Sequence, residues 1–223
     1  VILRRTATRK VPPMSLSPAA LDALFSARNS CRSFRPDPVP RSVIELIIST
    51  AQKGPSWCNA QPWEMTVTSG AETDRFRAAL QEQLATATPE PDMDFPQAYT
   101  GSYQDRRRAC GWQLYQAVGV EKGDRAGSAR QMAENFSLFG APHCAILSSP
   151  KALGAYGAID CGGFITGFCL AAQAQGVASI AQAAVAAYGA FLHRHFNIAE
   201  DRQILCALSF GYEDTDHPAN SFR

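Results

Sequence analysis

Residues 28–35, Arg28-Asn29-Ser30-Cys31-Arg32-Ser33-Phe34-Arg35, place three arginines and two serines within eight positions. A guanidinium offers forked N–H donors and keeps its charge at physiological pH, so this composition suits a phosphate held by charge-assisted hydrogen bonds. Arg28, Ser30 and Arg32 alternate, and alternate side chains of an extended backbone point the same way. A solvated basic loop is the competing reading of the same residues. A second cluster, Gly54-Pro55-Ser56-Trp57-Cys58-Asn59-Ala60-Gln61-Pro62-Trp63, gathers prolines, amides and a hydroxyl into ten positions. Such a turn can direct several hydrogen bonds at one flat polar ligand. A ligand with a phosphate at one end and a heteroaromatic at the other would suit both clusters.

Other chemistries find less support. Seven cysteines, at 31, 58, 110, 144, 161, 169 and 206, form no Cys-x-x-Cys pair and no metal-ligand spacing with the four histidines. Reduced thiols in a cytoplasmic protein are expected. No Gly-x-Gly-x-x-Gly follows a strand and no Gly-Lys-Ser/Thr phosphate loop occurs. No Gly-x-Ser-x-Gly frames a nucleophilic serine. His143 opens a strand, and His193 and His195 fall on different faces of a helix, so all three are read as structural. A net charge of +1 argues against a nucleic-acid surface. The apolar stretch 156–172 is interrupted by Asp160 and glycines and is expected to be a buried helix rather than a membrane span.

These clusters need elements to carry them. Ser17-Pro18 predicts a helix start, with Leu21, Leu24 and Phe25 on one face and an end near Asn29. Ser42 is expected to cap a second helix, bearing Val43, Ile44, Ile47, Ile48 and Ala51, that Gly54-Pro55 stops. Strands are predicted at 64–68, 143–149 and 203–212, a turn and strand at 176–182, and helices at 72–87, 154–175 and 187–196. Residues 99–139 read as a helical excursion, either a hairpin packed on the body or a lid over a ligand. Residues 1–15 lack a secretory apolar core and are expected to form a flexible arm ahead of a single domain, 16–223. Helices interleaved with few strands predict an α+β sandwich around a central mixed sheet.

Arg-x-Ser-x-Arg-x-Phe at 28–34, Pro-Ser-x-x-Asn-x-Gln-Pro-Trp at 55–63, and Gly211-Tyr212 followed by Asp216-His217-Pro218 occur in the order found in nitroreductase-like flavoproteins. The chain resembles that family from about Leu21 onward. The resemblance implies flavin mononucleotide (FMN), with Arg28, Ser30 and Arg32 at its phosphate and ribityl chain. It implies Pro55, Ser56, Asn59 and Gln61 on the ribityl and pyrimidine side, and the backbone of Ile180, Ala181 and Gln182 at the reactive edge. Asn220 and Arg223 would close over the phosphate, and Trp57 and Cys58 would stand beside the ring, next to substrate; Trp63 is assigned to the core. Asn29 stands where the family usually has arginine, and Ala181 where proline is common. The implied activity is reduction of small aromatic acceptors, nitroaromatics or quinones, by NADH or NADPH in ping-pong fashion, in a homodimer with flavin at the subunit interface. A same-fold enzyme for reductive dehalogenation or oxidation of a biosynthetic intermediate, and a flavin-binding redox sensor without turnover, are the alternatives.

Overall fold

The computed structural model describes residues 17–222; the expected N-terminal arm and Arg223 lie outside them. Ser17 caps α1 (Pro18–Ala27), its hydroxyl accepting from the Ala20 N–H at 3.2 Å with Pro18 in the first turn. The helix stops two residues before Asn29, and its apolar face is not buried: Leu21 and Phe25 are each about half exposed. Helix α2 (Arg41–Ala51) is not capped by Ser42 as expected. It starts directly after Pro40, whose ring fixes an extended entry and whose carbonyl accepts from Ile44. Ile44, Ile47 and Ala51 form its buried face.

Four strands follow: β1 (Glu64–Ser69), β2 (His143–Pro150), β3 (Ala178–Gln182) and β4 (Arg202–Gly211), in the order β1-β2-β4-β3. Every ladder is antiparallel, so the mixed sheet expected from the sequence is corrected. Helix interleaving is compatible with either strand sense, and residue pattern does not encode the sense. Parallel pairing is confined to isolated bridges, one of them Ser30 to Ser179. Central β2 is apolar at successive positions because both its faces are covered. Ala145 and Leu147 pack with α2 and α6 (Gly154–Ala174) on one face; Cys144 and Ile146 pack on the other with Phe76 and Leu80 of α3 (Ala71–Thr86) and Leu192 of α7 (Gly189–Phe196). The result is a sheet between two helical layers.

Together with the turn before it, α6 spans residues 151–174, and its most apolar 18-residue window has mean hydropathy 1.3, long and apolar enough to cross a membrane. Asp160 and the glycines therefore do not cut it short by composition. Its buried face, with Phe164 and Phe168, is instead built into the core against the sheet. The opposite stripe, Tyr156, Ile159, Gly162, Gly163 and Thr166, is exposed.

The excursion contains α4 (Gly101–Ala117), which buries no residue, and α5 (Arg125–Ala133). Between α3 and this excursion, the segment 88–95 is pinned to the body: Asp92 accepts from the Ile204 N–H at 2.7 Å and lies 2.8 Å from His193 Nε2. His143 is structural as expected. Its Nε2 accepts from the Val39 N–H at 2.9 Å, and burial pushes its pKa below the usual 6.5.

Candidate functional site at the open edge of the sheet

Residues 28–33 run alongside the outer edge of β3. The Cys31 N–H donates to the Ser179 carbonyl at 3.2 Å, and the Cys31 side chain is fully buried with Ala178 and Ile180. Because Cys31 points inward, its neighbours Ser30 and Arg32 are turned outward, as the alternation predicted. The Arg32 guanidinium donates to the Ser30 carbonyl at 3.1 Å and lies 5.2 Å from the centre of the Phe222 ring. Among the described residues no carboxylate pairs with it, and none pairs with Arg28. Burial lowers the Arg32 pKa from the ordinary guanidinium value, partly offset by Cys110 and Cys31 nearby. A desolvated cation without a counter-charge is an anion site in waiting. The Ser30 hydroxyl adds a polar group with no hydrogen bond of its own among the described residues.

The parity of β3 supplies a further donor. Ser179 turns its carbonyl outward to Cys31, so Ile180 faces β4 and Ala181 again faces outward. Beyond the Ser30 bridge that edge is uncovered, and the Ala181 N–H opens onto a cleft of about 300 Å³ that Arg32 also lines. The Gln182 side chain does not share this exposure. It is buried, donating to the Asn135 carbonyl at 2.8 Å and accepting from the Ser209 hydroxyl, so only its backbone is available to a ligand.

Leu114 and Tyr115 from α4, and Gln131 and Met132 from α5, form the far wall of this cleft. A second cavity of about 560 Å³ meets it at Arg32, with Arg77, Glu134 and His217 in its lining. Arg77 is committed to the fold, donating to the Ser137 and Ala141 carbonyls at 2.9 and 2.7 Å.

Two asparagines near the arginines are committed to the fold. Asn220 does not reach for a phosphate: its Oδ1 accepts from the Arg32 N–H at 2.7 Å, and its Nδ2 donates to the Ser33 and Asp214 carbonyls, each at 2.9 Å. It clamps the C-terminal segment onto the arginine loop. Asn29, in the place of the family's usual arginine, donates to Glu213 at 3.2 Å.

The second cluster takes a left-handed path. Cys58, Asn59 and Gln61 have φ of 49°, 57° and 47°, a conformation that costs an L-residue roughly 1–2 kcal/mol, least for asparagine. Local bonds hold it: the Gln61 N–H donates to Ser56 Oγ at 2.9 Å, and Gln61 Nε2 donates to Asn59 Oδ1 at 2.6 Å. With those atoms paired, Asn59 Nδ2 and Gln61 Oε1 remain as adjacent donor and acceptor. That pattern complements a heteroaromatic imide, which presents an N–H beside carbonyls. Trp57 is exposed with its ring 5.3 Å from that of Tyr156, Cys58 is exposed, and Pro55 precedes them at the surface. Trp63 stacks on Phe164 in the core, as expected.

The structure brings Arg32 and 180–182 to one cleft with Ser30 bridged to the adjoining Ser179, places Arg28 near Cys169 of α6, and leaves 55–61 elsewhere. The turn leads into β1, at one edge of the sheet, whereas the arginines lie along β3 at the other. Along α6, Asp160 touches the turn and Cys169 lies near Ser179 and Arg28. Nine residues of helix separate these points, about 13 Å.

An α+β sandwich with an arginine unpaired among the described residues and an open strand amide over a cleft is the framework of a protein that binds a flat, anionic cofactor at a sheet edge. The Nitroreductase family profile matches residues 25–212, and the chain belongs to that family. It is 35% identical to nitroreductase NfnB of Mycolicibacterium smegmatis over 95% of this chain and 90% of that protein. It is 30% identical to a 4-nitrobenzoate reductase of Pseudomonas putida over 94% and 92%. The crystal structure of FMN-dependent NfnB from Mycobacterium smegmatis in complex with NADPH superposes with a TM-score of 0.88 at 32% identity, covering 92% of each chain.

Proposed function

We propose that this protein is an FMN-dependent oxidoreductase that uses NADPH or NADH to reduce nitroaromatic or quinone-type acceptors. The observation that carries the reading is the half-buried Arg32 guanidinium, unpaired among the described residues and bordering the cleft onto which the Ala181 N–H opens. FMN would supply the centre that takes a hydride from the nicotinamide and passes reducing equivalents to the acceptor. The chain's part is binding, orientation and electrostatics. Arg28, Ser30 and Arg32 would hold the anionic end, the Ala181 N–H would stabilise negative charge developing at the reactive edge, and Asn59 and Gln61 would pair with the pyrimidine imide. Leu114, Tyr115 and Met132 would cover the cleft as a lid, limiting water and seating an aromatic acceptor. Each turn consumes one NAD(P)H and one proton, and the first converts a nitro group to a nitroso group with release of water.

The working unit in this reading is a homodimer. The exposed stripe of α6, with Tyr156 and Ile159 more than half exposed, and the uncovered Leu21 and Phe25 of α1 are apolar faces that a second copy would cover. A two-fold pairing along α6 would let the turn at 55–61 of one protomer meet the arginines of its partner, supplying the convergence that one chain lacks. Free thiols throughout the described residues fit a cytoplasmic location.

Chromatography of the cofactor released by heat tests the assignment. FMN in near-stoichiometric amount is expected; FAD, or no flavin after reconstitution with FMN, would overturn it.

A further inference from the structure

Asp160 is the only charged residue in the 21 positions of α6, and no cation among the described residues pairs with it. Both its carboxylate oxygens instead accept from one donor, the Trp57 N–H, at 3.0 and 3.1 Å. Trp57 begins the 3-10 turn in which Cys58, Asn59 and Gln61 take the left-handed conformation. Within residues 55–61 the other side-chain ties are internal, from Gln61 to Ser56 and to Asn59; just past them the Pro62 carbonyl accepts from Arg202 at 3.0 Å, so the far end of the turn is held to β4 while its start rests on Asp160. Asp160 ties it to a helix whose other face is locked into the core.

We propose that Asp160 is a positioning residue of the flavin site: from α6 it fixes the Trp57 amide, and through it the turn that presents Asn59 and Gln61. The charge matters because a carboxylate holds a backbone N–H more strongly than a neutral acceptor does. The side chain touches neither cofactor nor substrate in this scheme; it acts through the turn.

The inference rests on the reading of the turn as part of the flavin site, so the test has one arm without flavin. Hydrogen exchange of residues 55–61 is measured in cofactor-free wild type, Asp160→Ala and Asp160→Asn, followed by FMN titration and the visible spectrum of each loaded protein. Asp160→Ala is expected to exchange faster in this segment, to bind FMN about tenfold more weakly and to shift the bound-flavin spectrum. Asp160→Asn, which keeps an acceptor for the Trp57 N–H, is expected to recover affinity to within about threefold of wild type. Wild-type exchange and affinity in Asp160→Ala would overturn the proposal, as would an Asn variant no better than Ala. If wild type itself takes up no FMN, the flavin reading fails, while the exchange arm still decides whether Asp160 holds the turn.

Discussion

Arg32 is drawn into a half-buried position by its neighbours, since Cys31 beside it is fully buried and Asn220 holds its backbone N–H. Its charge is then met by a carbonyl and an aromatic ring rather than a carboxylate, so an arriving phosphate relieves a standing electrostatic cost. Changing Arg28 and Arg32 to Ala is expected to weaken FMN binding at least about tenfold per residue, since a charge-assisted hydrogen bond contributes about 1.5–3 kcal/mol. Titration of cofactor-free protein reads this, and unchanged affinity in both variants would place the phosphate elsewhere. The alternation of Arg28, Ser30 and Arg32 was visible in the sequence because it is local. Asp160 and Asn220 were not read correctly, because their partners lie 103 and 188 residues away along the chain. A lone acid in an otherwise uncharged helix was the available signal for Asp160.

The elements were mostly legible because their hydrophobic periods are strong. Helix α6, the apolar run of β2 and the helix stop at Gly54-Pro55 all fall where the pattern places them. What periodicity lacks is strand sense and the identity of covering partners, so it shows neither that every ladder is antiparallel nor what covers the Leu21/Phe25 face of α1. His143 shows how one side chain joins elements: it links the extended segment at Val39 to β2 and stacks 5.2 Å from Phe210. Its Nε2 must stay unprotonated to accept from Val39, in agreement with its lowered pKa. The unfolded chain therefore takes up a proton near pH 6.5 that the folded chain resists, and stability falls as pH drops below that point. This one group contributes at most about 1.4 kcal/mol per pH unit. Melting temperatures of wild type and His143→Gln measured from pH 8 to 5 should converge on acidification; a constant gap would refute the linkage.

At the scale of the whole molecule, the two polar clusters that suggested a single ligand lie at opposite edges of one sheet. A second copy is the simplest way to unite them, and the same copy would cover Tyr156 and Ile159. Light scattering of the loaded protein should then give about 48 kDa, twice the 24.1 kDa chain. Ile159→Glu, which plants a charge in the exposed stripe, should shift the protein toward monomer and loosen FMN together. A stable, flavin-loaded monomer at micromolar concentration would exclude the composite site. The central claim, that this site moves reducing equivalents from a nicotinamide to a nitro group, is tested most directly by anaerobic rapid mixing. NADPH should bleach the visible band of the FMN-loaded protein, and a second mix with 4-nitrobenzoate should restore it with matching loss of the nitroaromatic. A band that NADPH does not bleach, or that bleaches and stays bleached in the presence of nitroaromatic and quinone acceptors alike, would contradict the account.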